Sequence, residues 1–161
     1  MSEGDQGTRR YKWFHPRQAA RAGSPSVAGV SSKFVTIALY NSSTGPTVLV
    51  VRRVLFTANQ LYGMFYVQGR LTGTNYPAAR LWPGEPAAAG LVDSSQAGAA
   101  GAYDSYLTPG DVGLGAGGDT IPIAIVPPGW SFVLQNSAAD TAAGVSFVWE
   151  ELSIDELEYF W

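Results

Sequence analysis

The chain has 161 residues and a formal net charge of −3, and 46% of its residues are hydrophobic while only 14% are charged. This length fits one domain with a substantial core and is too short for two domains of ordinary size. The absence of cysteine excludes disulfides and thiolate chemistry. A surface so poor in charge is typical of a protein that contacts another protein.

Residues 1–30 predict an extended N-terminal arm, because no helix of useful length fits there. Five of the ten basic residues lie in the first 21 positions. The candidate partner-binding residues of the arm are Arg9, Arg10, Lys12, Trp13, Phe14 and Arg17. Two aromatic rings are costly to leave in water, which favours docking onto protein, whereas phosphate binding needs a denser basic cluster. A solvated tail is the alternative.

Residues 31–153 predict a β-sandwich domain. The strand candidates, in chain order, are KFVTIALY, TVLVVRRVLF, LYGMFYVQGR, AARLW, IPIAIVPP, SFVLQN and GVSFVWEEL. Most of them are rich in β-branched or aromatic residues, and turn-forming residues lie between them. In the last of them Val145, Phe147 and Trp149 share one face. Seven or eight short strands without a convincing helix predict an all-β fold, a single jelly-roll-like antiparallel sandwich.

A Gly/Ala-rich loop is predicted inside this domain, over residues 83–120. Loops of this length are uncommon in a compact domain and are usually functional or disordered. Scattered apolar residues, among them Leu91 and Val92, indicate that part of the loop is held on a surface through one or two short strands.

Residues 154–161 predict an acidic and aromatic C-terminal tail. Ile154 and Leu157 have a spacing that suits one helical turn. Three terminal rings, Tyr159, Phe160 and Trp161, are the candidate partner-binding residues here, because such rings bury a large apolar area. The acids of the last dozen residues make this end the electrical opposite of the arm.

The catalytic groups of the chain are few. His15 is the only histidine and lies in the arm, so one chain assembles neither a Ser-His-Asp site nor a multi-histidine metal site. Glu150 and Glu151 are neighbours on a strand and point to opposite faces, so we expect solvation at a strand end rather than acid/base work. We therefore expect no enzyme, no catalytic or metal-binding residues and no cofactor.

Five aromatic residues lie in or next to the predicted loops: Tyr76, Trp82, Tyr103, Tyr106 and Trp130. Exposed rings beside polar groups are typical of sandwich modules that bind carbohydrates or receptors, so these are candidate ligand-facing residues. The alternative is that Trp82 and Trp130 plug the ends of the sandwich.

Two stretches carry a family resemblance, LYNSSTGPTVLVVRRV and IPIAIVPPGWSFVLQNSAADTAAGVSFVWEEL. Over about residues 33–152 the chain resembles the small β-sandwich virion proteins of tailed bacteriophages. The resemblance implies a structural component of the particle, of which a capsid decoration (cement) protein is the preferred role and a collar, tail or fibre component the alternative.

The same resemblance implies where the chain acts and with what. The expected partner is a capsid or other virion protein. Separately, a chain with only 14% charged residues and aromatic residues at both ends leaves more apolar surface than one domain normally shows, so we expect a homo-oligomer, with a trimer preferred. We do not expect nucleic acid as a partner, because phosphate binding needs a denser basic cluster than the arm has. We do not expect a membrane either, because no apolar run approaches the roughly 18 residues that cross a bilayer. The expected location is the virion, assembled in the host cytoplasm.

Overall fold

The computed structural model describes residues 16–57, 62–107, 111–113 and 122–158. The elements within them are β1 (Ala19–Gly23), β2 (Phe34–Asn41), β3 (Thr47–Phe56), β4 (Tyr62–Gln68), β5 (Thr74–Tyr76), β6 (Ala79–Arg80), β7 (Gly90–Ala97), β8 (Ser105–Leu107), β9 (Asp111–Gly113), β10 (Ala124–Val126), β11 (Trp130–Asn136), β12 (Val145–Ser153) and a short helix α1 (Ile154–Glu158). The first sheet has the order β10-β3-β12-β1-β6, with β9 also paired to β3, and the second has the order β5-β7-β2-β11-β4-β8. The registered strand pairs of both sheets are antiparallel.

One apolar core lies between the two sheets. Val145, Phe147 and Trp149 of β12 enter it with no exposed surface, as their shared face predicts, and Phe132 and Leu134 of β11 meet them from the second sheet. Alternating residues on the two inner faces fill such a core. The predicted all-β sandwich is confirmed at this level.

A bulge in β3 sets which way its side chains point. Val148 of β12 pairs with Arg53 and Trp149 pairs with Val51, so Arg52 is the extra residue on β3. Before the bulge Val51 faces the core, and after it Val54 does. Arg52 stays on the outer face of the first sheet, which looks away from the second sheet, as alternation from Val50 requires. The extra residue leaves Arg53 exposed as well before Val54 returns to the core.

The N-terminal boundary differs from the prediction, because part of residues 1–30 belongs to the sandwich. Strand β1 pairs with β12 over five residues, from Ala19↔Glu150 to Gly23↔Ser146. Val27 then forms a bridge with Ala143. The sequence concealed this strand because alanines form its buried face and give no hydrophobic alternation.

The predicted loop 83–120 also differs, because it contains β7, β8 and β9. The eight residues of β7 pair with all of β2, from Phe34↔Ala97 to Asn41↔Gly90. The sequence did not predict this strand because most of its residues are polar or small. Asp93 is buried but accepts two hydrogen bonds from Arg70, both at 2.7 Å, so the strand holds a carboxylate without leaving it unpaired.

A strap formed by residues 98–104 crosses the outer face of the second sheet. It leaves β7 and enters β8, and β2, β11 and β4 lie between these two strands. Its small residues let the backbone approach the sheet closely. A Cβ on Gly101 would lie 2.7 Å from the ring of Phe65. The Gly/Ala-rich composition therefore supports a close crossing.

Helix α1 confirms the predicted single helical turn after β12. Ser153 precedes it, and the Ser153 backbone N–H donates a hydrogen bond of 2.8 Å to the Glu156 side chain. This contact is half of a capping box. Within the described ranges, no helix has the length and apolar character that crossing a membrane requires.

Candidate functional site

Three aromatic rings form what we call the tyrosine surface, on the outer face of the second sheet. Phe65 comes from β4, Tyr103 from the end of the strap and Tyr106 from β8. The Tyr103 ring lies 6.2 Å from that of Phe65 and meets that of Tyr106 edge-on at 5.1 Å. Tyr106 is 55% exposed. Two of the candidate ligand-facing aromatics are therefore brought together.

Gly63 makes room for this arrangement. It lies opposite Tyr106 in the β4–β8 pair. A Cβ at Gly63 would lie 2.1 Å from the Tyr103 ring, so that ring occupies the space that any side chain would fill. A glycine inside a strand marks such a close approach.

Gln135 of β11 holds the strap and Tyr103 in place. Its side-chain oxygen accepts hydrogen bonds from the Gly101 backbone N–H at 2.6 Å and from the Tyr103 hydroxyl at 2.9 Å. Its side-chain nitrogen donates to Thr36 Oγ1 and to the Ala99 carbonyl. Because Gln135 is buried, these bonds satisfy a polar group that would otherwise be costly, and they fix the strap rigidly.

The tyrosine surface is suited to binding rather than to proton transfer. Burial, and then the neighbouring Tyr106, raise the pKa of the Tyr103 hydroxyl, so it stays protonated near neutral pH. Its proton is already donated to Gln135. The exposed ring of Tyr106 offers an apolar face with a polar tip, and rings of this kind anchor protein interfaces.

A second contact joins Arg17 to Trp82 at the edge of the first sheet. The guanidinium carbon of Arg17 lies 5.1 Å from the centre of the Trp82 ring, a cation–π contact. Pro16, Gln18 and these two residues line a pocket of about 400 Å³. The structure thus brings one candidate arm residue next to one candidate ligand-facing aromatic.

The remaining candidate aromatics stand apart from both places. Trp130 begins β11 opposite Gln68 and is 37% exposed, close to the 43% of Trp82 in the Arg17 contact described above. Tyr76 packs against the core, and its hydroxyl lies 3.0 Å from Ser94 Oγ. Partial exposure of both tryptophans favours a surface role over plugging the sandwich ends.

The two glutamates of β12 correct a prediction. Glu150 has no exposed surface, and Arg52 Nε donates a 2.5 Å hydrogen bond to it. Glu151 accepts from Arg80 Nη2 at 2.6 Å and from the Ala89 backbone N–H at 2.7 Å. The prediction of solvation at a strand end is wrong, because Arg52 of β3 donates to Glu150, and Arg80 of β6 and the loop residue Ala89 donate to Glu151.

Several predicted residues lie outside the described part of the chain: Arg9, Arg10, Lys12, Trp13, Phe14, Tyr159, Phe160 and Trp161. His15 lies there as well. Among the residues that the structure describes, no group of three or more His, Cys, Asp or Glu side chains is placed to hold a metal ion.

Sequence reasoning missed Phe65 and Gln135 as members of the tyrosine surface. Phe65 lies in a predicted strand, where a core position is the default. Gln135 carried a usable signal, because an amide inside the apolar run SFVLQN needs hydrogen-bond partners.

No protein-family model matches the chain, and neither a curated protein nor a solved structure shows significant similarity to it.

Proposed function

We propose that the chain is a non-enzymatic structural protein of a tailed-bacteriophage virion, a decoration protein that stabilises the head shell through protein–protein contacts. The observation that carries the proposal is the tyrosine surface, where Tyr106 of β8 is 55% exposed beside Tyr103, which ends the rigidly held strap. A preorganised aromatic anchor loses little side-chain entropy when it binds. A collar, tail or fibre position is the alternative place in the particle.

The proposal includes a jelly-roll connectivity for the sandwich. Consecutive strands change sheets: β1 lies in the first, β2 in the second, β3 in the first and β4 in the second. The chain alternates again through β10, β11 and β12. Two interleaved sets, β10-β3-β12-β1 and β2-β11-β4-β8, fit the double-sheet jelly roll that viral capsid and lectin domains use.

The use of the charged side chains supports a structural role. Three carboxylates of the described sandwich form ion pairs with arginines from other strands or loops: Glu150 with Arg52, Asp93 with Arg70 and Glu151 with Arg80. These carboxylates are thus engaged in contacts that join strands and loops of the sandwich. Because these charged side chains are engaged within the sandwich, the exposed aromatic side chains are the groups that we propose contact a partner.

A carbohydrate- or receptor-binding module is the second candidate, and the same rings favour it. Sugar rings stack on a flat exposed aromatic face. Tyr103 and Tyr106 meet at 64°, so they form a corner rather than one platform. A corner fits a protruding side chain of a protein partner better than the flat face of a sugar, which places this candidate second.

Self-association of the purified chain tests the proposed interface. We expect a homo-oligomer, with a trimer preferred, and we expect Tyr106→Ser to weaken it at least about tenfold, as loss of an aromatic anchor does. Trp130→Ser is the matched control, because Trp130 is also exposed but lies away from the tyrosine surface. Sedimentation velocity over a concentration series gives both results. Equal effects of the two substitutions would refute the assignment of this surface.

A further inference from the structure

Strand β4 of the second sheet is paired on both sides along only part of its length. Strand β11 pairs with all of it, whereas β8 pairs with residues 62–64 alone. Beside residues 65–68, which we call the β4 edge, the described part of the chain places no strand on the side away from β11. Burial follows the same division. Tyr62 and Gly63 are buried, residues 65–67 are half-buried and Gln68 is exposed.

The backbone groups that point out of the β4 edge belong to Tyr66 and Gln68. The N–H and C=O groups of successive strand residues point to opposite sides. The Met64 carbonyl accepts a 2.8 Å hydrogen bond from the Asp104 N–H, so the even-numbered residues of β4 point away from β11. The Gly69 N–H points the other way, because it donates at 2.7 Å to the turn that precedes β11. Among the described residues, none bonds to the outward backbone groups of Tyr66 and Gln68.

The composition of the β4 edge suits the addition of another strand. Its residues read FYVQ and include neither a charged residue nor a proline. Charged side chains, prolines and bulges are the usual devices that keep an edge strand from pairing with another chain. An edge without them accepts an extended strand through main-chain hydrogen bonds.

A second copy of β4 matches this edge by twofold symmetry. When two β4 strands run antiparallel about Val67, Tyr66 of each copy lies opposite Gln68 of the other. Every outward donor then faces an outward acceptor. A register shifted by two residues in one direction meets β8, and a shift in the other direction meets the turn at Gly69, whose φ of 76° or more in this region is replaced here by 94°. The outward groups therefore favour one register.

The ends of this pairing bring opposite charges together. Asp104 precedes β8 at the level of Phe65 and is exposed. In the twofold register Phe65 lies opposite Gly69 of the second copy, which leaves room for the ring because nothing lies within 4 Å of its Cβ position. Arg70 follows that glycine. It binds Asp93 of its own copy, yet its side chain is still 42% exposed, so its charge can attract Asp104 of the other copy.

We propose that two copies of the chain pair through the β4 edge, antiparallel about Val67, so that their second sheets become one continuous sheet. The outer faces of the two sheets then lie on the same side, and the two tyrosine surfaces face the same way. This contact is separate from the one at the tyrosine surface and does not require the virion role. Alone it makes a dimer, and it would join trimers in pairs.

Disulfide trapping in the purified full chain tests this pairing, because the chain has no cysteine of its own. Val67→Cys places a thiol at the twofold axis, where the two Cα atoms would be about 4.5 Å apart, within the range that a disulfide bridges.

Gln68→Cys is the matched control. Gln68 is more exposed than Val67, so random collisions would favour it. In the proposed register it lies opposite Tyr66, which puts the two substituted positions roughly 8 Å apart, beyond the reach of a disulfide. Both variants are oxidised with copper–phenanthroline over a concentration series, and the covalent dimer is measured by non-reducing electrophoresis.

We expect Val67→Cys to form the covalent dimer at least about tenfold faster than Gln68→Cys, because geometry rather than exposure decides the rate. Adding Gln68→Pro to Val67→Cys should abolish the dimer, since it removes an outward N–H in each copy. Proline is tolerated on an open edge, so the fold should survive, which circular dichroism checks. The comparison of the two cysteine variants stands whether or not the proline variant folds.

Two outcomes would overturn the proposal. If Gln68→Cys formed the dimer as fast as Val67→Cys, the contact would be a collision without register. If Val67→Cys gave no covalent dimer at any concentration, a second copy would not be what pairs with this edge. Neither outcome depends on whether the chain is found in virus particles, so the two proposals fail separately.

Discussion

At the scale of single residues, Tyr62 is buried in the core, and its hydroxyl is not hydrogen-bonded to any described residue. Its ring stacks on Phe56 at 4.4 Å, and among the described residues its hydroxyl has no hydrogen-bond partner. Burial raises the pKa of Tyr62 to about 12. In the unfolded chain a tyrosine ionises near pH 10, so folding keeps this hydroxyl protonated over a wider pH range.

The consequence is a loss of stability at alkaline pH. The contribution is fully present below about pH 10 and is lost as the pH rises toward about 12, up to about 2–3 kcal/mol. We predict that Tyr62→Phe leaves the free energy of unfolding at pH 7 unchanged or higher, and makes its alkaline fall shallower than that of the natural chain. Urea unfolding from pH 7 to 12 measures both. An equally steep fall in the variant would refute the assignment.

Glu151 offers a second test at this scale, because several donors converge on its carboxylate. Arg80, the backbone of Ala89 and the Trp149 Nε1–H all donate to it. We predict that Glu151→Ala lowers the free energy of unfolding by about 2–4 kcal/mol, since it leaves partly buried donors unpaired. Glu151→Gln should lose less, because one oxygen remains to accept.

The matched control for Glu151 is Asp155, an exposed acid in the first turn of α1. Asp155→Ala should cost less than about 1 kcal/mol, because it removes only a favourable interaction with the helix dipole. Chemical denaturation of the three variants side by side gives the ranking. A Glu151→Ala cost as small as that of Asp155→Ala would contradict the buried network.

At the scale of elements, the strap depends on the absence of a side chain at Gly63. We predict that Gly63→Ala lowers the free energy of unfolding by about 1–3 kcal/mol, because the new Cβ overlaps the Tyr103 ring. Gly45→Ala is the control, since nothing lies within 4 Å of its Cβ position. Adding Tyr103→Ala to Gly63→Ala should make the two effects non-additive. Strict additivity would show that Tyr103 does not occupy this space.

Strand β1 gives a prediction about truncation. Removal of residues 1–15 leaves β1 intact, and the sandwich should stay folded. Removal of residues 1–28 takes away β1, which pairs with β12 over five residues and buries Ala20 and Ala22 in the core. We predict that this longer deletion abolishes cooperative thermal unfolding, as followed by circular dichroism. A cooperative transition in it would place β1 outside the essential fold.

The elements also show where sequence reasoning succeeds and where it fails. The bounds of β3 match the predicted run TVLVVRRVLF, and β2, β11 and β12 follow their predicted runs closely, because these strands are rich in large apolar, mostly β-branched or aromatic side chains. Strand β1 is built on alanines and β7 on buried polar residues, so neither has that composition. The bulge at Arg52 depends on pairing with β12, which local sequence does not encode.

In the candidate site, too, the sequence predicts the type of residue but not which residues lie together. The aromatic side chains that are exposed were identifiable as a class, and Tyr103 and Tyr106 proved to be neighbours. Their grouping depends on the path of the strap and on Gln135, a residue 32 positions from the Tyr103 that it binds. Long-range contacts of this kind decide which of several loop aromatics form one surface, and a single sequence gives no distance between them.

At the scale of the whole molecule, the fold is a two-sheet sandwich with a rigid strap across the second sheet and the exposed side chain of Tyr106 beside that strap. Many copies of such a unit would stabilise a shell, because each copy adds a modest contact and the repeats act together. A virion component needs a fixed shape and an adhesive surface, and the proposed role assigns these two properties to the buried ion pairs and the tyrosine surface.

The most direct test of the central claim is quantitative mass spectrometry of purified virus particles, together with a reconstruction of the particle by electron cryomicroscopy. We predict that the chain is present in many copies on the head shell, with Tyr106 covered by a neighbouring protein. Absence of the chain from purified particles would contradict the virion role, and Tyr106 exposed to solvent in the assembled particle would contradict the proposed interface.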